Sequence, residues 1–264
     1  MSTRIRASSL PELFDCPARW AAKQIDGKRM PMSGKAALGK AIHASTGAFD
    51  SARVLGSPIT ADEAAAAAVD ALHHPTEDVD WDEDKPQAAE KVALALHGKY
   101  CGEIAPAQDY VGVEATCEAL EITDLGIVLT GTIDRVYRAA DGSLGIADLK
   151  TGKTAVNAQG EVKTQGHGLQ LATYELLAEV AIQQRIEAPA RVIGMQTGAT
   201  ERAQRIAIGE IDSPRDMLIG TPEAPGALQH AARFIQSGLF YGNPRSQLCG
   251  EKYCPIHATC SFRK

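Results

Sequence analysis

The sequence predicts one mixed α/β or α+β domain with an N-terminal helical insertion. Three observations carry that prediction. Residues 35–101 combine helical spacing with an Ala-rich stretch. Residues 110–149 alternate or carry β-branched side chains, and residues 168–208 read as a helix followed by two strands. The 264 residues suit one large domain or two small ones, and no repeat or low-complexity linker divides them. With 44% apolar and 23% charged residues, a globally disordered chain is excluded.

Taken in order, Ser9-Leu10-Pro11-Glu12 has the form of a capping box with proline in the first turn, so a short helix through Trp20 is expected. Residues 35–50 read as a helix with Leu38, Ile42 and Phe49 near one face. Residues 60–73 are helical by alanine propensity, Pro75 to Pro86 reads as an acidic loop, and 87–101 is a further helix. Tyr110–Cys117, Ile127–Tyr137 and Leu144–Leu149 follow as strands, with Asp141-Gly142 turning the last pair. Gly168–Ile182 returns to helical spacing, with Leu169, Ala172, Leu176 and Val180 on or near one side. Arg191–Gln196 and Arg205–Ile208 are two more strands. Pro225–Leu239 is a helix, and a Cys-rich tail closes the chain.

The net charge of −6 conceals an asymmetry. Residues 60–90 carry ten acids against Lys85 alone, a segment charge of −9, so the rest of the chain sums to +3. Residues 1–40 hold eight bases and three acids. A negative total therefore leaves a polyanionic partner open, because phosphate contacts depend on local patches.

Chemistry concentrates at strand ends. In Ile146-Ala147-Asp148-Leu149-Lys150, period-two alternation puts Asp148 and Lys150 on one face and turns Leu149 into a core. Asp134, ending Gly131-Thr132-Ile133-Asp134 on the preceding strand, can meet Asp148 across the hairpin. Two converging carboxylates suit a hard divalent cation such as Mg²⁺ or Mn²⁺, and Lys150 could orient water or neutralise phosphoryl charge. Gly39 and His43 share a helix face one turn apart. There the glycine permits close backbone approach, and the imidazole can be a further metal ligand. Gln170 and Tyr174 likewise share a face of the later helix, and Glu114 adds an acid on the first strand of the meander. The D-x-K tripeptide alone is equally an ordinary surface ion pair on a hairpin.

The ordered set GxxxH (Gly39/His43), Glu114, GxxD (Gly131/Asp134), DxK (Asp148/Lys150) and QxxxY (Gln170/Tyr174) resembles the RecB-type nucleases of the PD-(D/E)XK superfamily. The resemblance runs from Ser8 to the C-terminus. It implies a restriction-endonuclease-like core, with a central mixed sheet flanked by helices and a metal site at a splayed strand pair. Residues 1–264 would form one nuclease domain. Within it, 35–105 would be the helical insertion, 106–210 the catalytic core, and 245–264 a tail joined to Cys16. By the resemblance, His43, Asp134, Asp148 and the Leu149 carbonyl bind metal and Lys150 is catalytic. Gln170 and Tyr174 position Lys150, the substrate or both. For Glu114 a structural role stands beside the catalytic one. The chain departs from the commoner pattern in having Asp148 where Glu is usual.

The tail carries Cys249, Cys254 and Cys260, with four and then five residues between them. One early cysteine, Cys16, with three late ones resembles the iron–sulfur staple of a RecB-type subgroup that includes phage-like and recombination exonucleases. That implies a 4Fe-4S cluster on Cys16, Cys249, Cys254 and Cys260. Zn²⁺ is the alternative, since four thiolates also form structural zinc sites, and His257 could replace one cysteine. Cys101 and Cys117 sit in helical and strand patterns and read as buried core thiols.

The resemblance therefore implies a divalent-metal-dependent deoxyribonuclease, an exonuclease rather than an endonuclease, acting in recombination or repair. DNA ends or single strands are its implied partners, together with a recombination protein. No GxxxxGK[ST] motif occurs, which suggests an enzyme without its own helicase motor. The alternative is a catalytically inert DNA-end-binding module stabilised by an iron–sulfur cluster, against which Asp134, Asp148 and Lys150 argue. A small redox protein would leave residues 39–174 unexplained. No apolar run approaches the roughly 18 residues that span a bilayer. The segment MSTRIRASSLPELFDCP has no apolar h-region, and six cysteines fit a reducing compartment, so the cytoplasm is the expected location.

Overall fold

The chain enters through a strand that the sequence reading does not anticipate. In the computed structural model, which describes residues 2–81, 85–212 and 214–263, Thr3–Arg6 forms β1, with Ile5 buried between exposed Arg4 and Arg6. Two short helices follow, α1 (Leu10–Asp15) and α2 (Pro17–Gln24), instead of one through Trp20. The break falls at Cys16, which is extended because the ring of Pro17 disfavours a helical residue before it. The expected capping box is also absent. Ser9 Oγ donates to the Arg6 carbonyl, and Glu12 pairs with Arg19 at 2.7 Å and Lys23 at 2.9 Å.

The helical insertion begins after β2 (Met32–Ser33). Its helices are α3 (Gly34–Val54), α4 (Ala61–His73) and, after β3 (Val79–Asp80), α5 (Pro86–Lys99). Ser33 Oγ accepts the Ala36 N–H at the start of α3, and Thr60 with Glu63 makes a reciprocal capping box on α4. Leu38, Ile42, Ala68, Leu72, Ala93 and Leu96 hold the three helices together. The acidic loop contains β3, which pairs in parallel with β2. Its Asp82, Glu83 and Asp84 lie outside the described residues.

The remaining elements are β4 (Tyr110–Ile122), β5 (Ile127–Arg138), β6 (Leu144–Gly152), α6 (Gly168–Ile182), β7 (Ala190–Gln196), β8 (Ile206–Ile211), α7 (Arg215–Ile219) and α8 (Ala227–Ser237). The β5–β6 turn forms at Asp141-Gly142 as expected. Asp141 Oδ1 accepts from the Ser143 N–H, and Gly142 takes a φ of +90° that its missing Cβ allows.

With β1, the strands β4 to β8 form one mixed sheet of six, flanked by helices on both faces. Along one edge β5 pairs with β4 in antiparallel sense, with register shifts between Tyr110 and Gly112 and between Cys117 and Leu120. Its other edge is divided. β1 runs parallel to residues 127–130, and β6 runs antiparallel to residues 135–138. Residues 131–134 have no strand partner on that edge, so the sheet has a breach in its middle. Beyond it β6 pairs with β7 in parallel, and β7 with β8 antiparallel.

Alternation along the strands serves both layers. Ile146, Ala190 and Val192 face α1, α6 and α8, whereas Ala147, Leu149, Ile193 and Met195 face α3–α5. The stripe expected on α6 is displaced. Val180 is exposed, Leu169 and Leu176 are half-buried, and the buried apolar residues are Leu171, Ala172, Leu177 and Ala178. The helix touches the sheet on one side and α1 and α7 on others, so its buried face is wide and also takes in Gln170, Thr173, Tyr174 and Glu175. Among the described residues no helix is long and apolar enough to cross a membrane.

A fully buried ion pair joins the insertion to the sheet. Arg135 of β5 and Asp50 of α3 are both fully buried, with Nε 2.7 Å from Oδ2. Tyr100 OH donates to the same Asp50 oxygen and lies 3.1 Å from Tyr110 OH. Burying two charges costs several kcal/mol each, and removing one partner leaves the other uncompensated. Asp50→Ala is therefore expected to destabilise the fold by about 3–5 kcal/mol in urea unfolding, whereas Asp50→Leu combined with Arg135→Met recovers much of that loss. A single-variant loss below about 1 kcal/mol, the range of a solvated surface pair, would contradict this.

Candidate active site

The breach gathers the chemistry. The β5–β6 ladder ends at Arg135 and Ala147, one residue before Asp134 and Asp148. The strands part there, and the Leu149 N–H donates to Asp134 Oδ2 at 2.8 Å. A side chain thus satisfies a backbone donor at the end of the ladder. On the far side α3 brings in His43, whose Nε2 lies 3.1 Å from the Leu149 carbonyl and whose Nδ1 lies 3.5 Å from Asp134 Oδ2. Gly39 makes this approach possible, because a Cβ there would stand 2.8 Å from Thr151 Oγ1.

Asp148 and Lys150 point together toward α6, as the alternation predicts. Lys150 Nζ is 2.6 Å from Asp148 Oδ2 and donates to Gln170 Oε1 at 3.0 Å. Gln170 Nε2 donates in turn to Tyr174 OH at 3.1 Å. The buried Asp148 Oδ2 has the Lys150 ammonium as its ionic partner. Gly131 admits α6 to the sheet, since a Cβ there would meet Leu177 at 2.9 Å and the Tyr174 ring at 3.0 Å.

Glu114 comes to the same place from β4. It is one of two non-glycine residues at positive φ among those described, at +50°, a conformation that persists only where surroundings impose it. Ligand atoms of Glu114, His43 and Asp134 lie within 4.8 Å of one another. Gly39, His43, Glu114, Asp134, Asp148, Leu149, Lys150, Gln170 and Tyr174 all line one cleft of about 1150 Å³. The donors fit a divalent cation. They are hard oxygens with one imidazole, and neighbouring ligands of an octahedral ion at ~2.1 Å stand ~3 Å apart.

Arg135 and Asp50 support this arrangement and were missed in the sequence. Arg135 Nη1 donates to the Asp134 carbonyl at 2.7 Å and lies 3.6 Å from Glu114 Oε1. The available signal was an arginine inside an otherwise buried strand pattern, Ile133 to Tyr137.

The second constellation is also assembled. Cys16, Cys249, Cys254, Cys260 and His257 line one small enclosure, and none of the cysteines is in a disulfide. The Asn243 N–H points to Cys16 Sγ at 3.4 Å, and Asn243 Nδ2 donates to the Asp15 carbonyl at 2.9 Å. Ser246 Oγ donates to Asp15 Oδ2 at 2.6 Å. The tail therefore meets the α1–α2 break through polar contacts. Its Leu248, Tyr253 and Phe262 remain a little under half exposed, and Leu248 and Phe262 line the same enclosure. Cys101 and Cys117 lie in the two apolar cores, as expected.

A profile of the PD-(D/E)XK nuclease superfamily matches residues 4–261. The chain belongs to this superfamily. No curated protein matches its sequence. Among solved structures, one described as "Crystal structure of SSO0001" is similar with a TM-score of 0.44 and 14% identity, covering 100% of this chain and 88% of that one.

In this PD-(D/E)XK protein the two acids differ in character. Burial pushes Asp134 up, but His43, the Leu149 N–H and Lys150 together bring it below the usual carboxylate range. Burial pushes Asp148 up to about 6, with Asp134 adding repulsion and Lys150 pulling back. Burial disfavours charge on His43, yet the attraction of Asp134 and Asp148 prevails and raises it above its usual range. A cation needs Asp148 ionised and His43 neutral, so protons compete with it at both. Asp148 regains its proton as pH falls through about 6, and His43 keeps its proton above its ordinary range. Apparent Mn²⁺ affinity should therefore climb steadily from about pH 5 to pH 8 in calorimetric titrations. Asp148→Asn should weaken binding and flatten the acid limb. An affinity independent of pH over that span would contradict the assignment.

Proposed function

We propose that this chain is a Mg²⁺- or Mn²⁺-dependent deoxyribonuclease, acting as an exonuclease in recombination or repair. One observation carries the reading. Ligand atoms of His43, Glu114 and Asp134 lie within 4.8 Å of one another, and Asp148, Leu149 and Lys150 line the same cleft where β5 and β6 part.

His43, Asp134, Asp148 and the Leu149 carbonyl would hold the ion. When bound, it would polarise a phosphoryl oxygen and make water a stronger nucleophile. The chain's own groups do the rest. Lys150 is held from two directions, by Asp148 and by Gln170, so its ammonium is fixed before substrate arrives. It faces charge that develops on the phosphoryl group, where a preorganised cation stabilises most. Tyr174 fixes the Gln170 amide and thereby the lysine. Glu114 extends the acidic side of the cleft, with Arg135 restraining it.

For the second constellation we propose a 4Fe-4S cluster on Cys16, Cys249, Cys254 and Cys260, with Zn²⁺ as the alternative occupant. The donor set suits either, because four thiols line one enclosure. The group would join the chain ends within a single nuclease domain and would take no part in hydrolysis, which belongs to the carboxylate site. His257 stands by as a substitute ligand, because its buried Nδ1 has no hydrogen bond.

The deciding experiment follows end-labelled linear and circular DNAs over time with Mg²⁺, Mn²⁺ or EDTA. Metal-dependent loss of linear DNA with circles spared supports the exonuclease. Binding without cleavage would replace it with an inert DNA-end-binding module.

Asp148→Ala is expected to abolish cleavage while DNA binding survives, because phosphate contacts elsewhere supply most affinity. Lys150→Ala should keep metal binding in calorimetry and lose about 10²–10³-fold in rate, the usual cost of one preorganised electrostatic stabiliser. Wild-type rates in Asp148→Ala under matched metal would exclude this site.

Protein purified without oxygen should be brown, with Cys16→Ser bleaching it, lowering its melting temperature and exposing the tail to protease. Colourless protein with stoichiometric zinc would establish the zinc alternative. An unchanged Cys16→Ser variant would remove that cysteine from the ligand set.

A further inference from the structure

A second trough opens on the other side of the breach. Arg4, Arg6 and Ser8 line it from the N-terminal segment, Thr116 and Thr132 from β4 and β5, and Tyr174 from α6; its volume is about 480 Å³. Ser8 and Tyr174 line both the trough and the active cleft, so the two adjoin at these residues. The floor between them is the stretch of β5 without a strand partner on this edge.

The trough is built of donors. Alternation on β1 sends Ile5 into the core and leaves both arginines exposed on the same side. Arg4 Nη1 donates to the Glu118 carbonyl at 3.1 Å, which holds it along the rim. The Arg6 guanidinium has no hydrogen bond or ion pair among the described residues. Thr116 and Thr132 face each other across β4 and β5 with hydroxyls 3.0 Å apart. Glu118 is the single carboxylate in the described lining, against two guanidiniums. An open channel with excess positive charge and hydroxyl donors fits successive phosphates of a polyanion.

We propose that this trough carries the phosphodiester backbone of the DNA strand on one side of the scissile bond, with Arg4 and Arg6 as its phosphate contacts. The inference rests on the nuclease reading above. It deepens that reading by giving the strand a path: across the breach, past Tyr174 and Ser8, and out along β1. Neither arginine touches the metal donors, so their part is to bind and align the strand.

The test is a fluorescence-anisotropy titration of a labelled single-stranded oligonucleotide in EDTA across a salt series. Full-length protein is compared with its Arg4→Ala/Arg6→Ala and Arg4→Lys/Arg6→Lys variants. Each lost single-strand phosphate contact lowers the slope of log K against log salt by about 0.7, so the alanine pair should lower it by about 1.4 and raise Kd at every salt. The lysine pair should keep the wild-type slope, which shows that the fold survives changes at these positions. An alanine pair with wild-type slope and Kd overturns the trough, and leaves the nuclease reading intact if the same wild-type protein cleaves DNA with Mg²⁺. Wild-type protein that neither binds nor cleaves DNA overturns both.

Discussion

A single buried guanidinium ties the two halves of the protein together. Arg135 has no access to solvent, and its partner Asp50 comes from a helix 85 residues earlier in the chain. A pair so placed adds little net stability, because desolvation offsets most of its attraction. It does dictate arrangement: α3 must dock where Asp50 can meet β5, and that docking also delivers His43. The same guanidinium holds the Asp134 carbonyl and restrains Glu114. Position of the helical insertion and geometry of the acidic cleft are thus one constraint.

The breach in the sheet is the second half of that constraint. A strand paired on both edges would bury residues 131–134 in a continuous ladder. Here β1 leaves the edge of β5 before β6 joins it, and the gap is wide enough for carboxylates, lysine and α6 to converge. Two acids in one dry place repel, and the protein resolves this unequally. Asp134 is kept ionised by His43 and a backbone N–H, while Asp148 resists ionisation until pH passes about 6. Positive charge supplied from outside relieves this repulsion, and the cleft is open where such charge would enter.

Much of this was legible in the sequence, for physical reasons. Period two is strict in a strand, so Asp148, Leu149 and Lys150 took their predicted sides. Helical period placed Gly39 and His43 together, and Gln170 with Tyr174. The central mixed sheet flanked by helices agrees with the structure, and the residues singled out in the sequence line one cleft. Misread features depended on tertiary partners. Glu12 fits a capping pattern locally, yet Arg19 and Lys23 compete for its carboxylate and win. The stripe expected on α6 assumed one buried side, whereas contacts from the sheet, α1 and α7 bury several. β1 is only four residues long and gains its partner from a strand more than a hundred residues away. Arg135 was passed over, because nothing local reveals that Asp50 folds onto it.

The proposed function requires a divalent ion at the parting of β5 and β6. The most direct measurement is the anomalous difference map of a crystal grown with Mn²⁺. The account predicts a peak bonded to His43, Asp134, Asp148 and the Leu149 carbonyl, at ~2.0–2.2 Å from each donor. A fully substituted ion seated elsewhere, with these four groups keeping their present contacts, would contradict it.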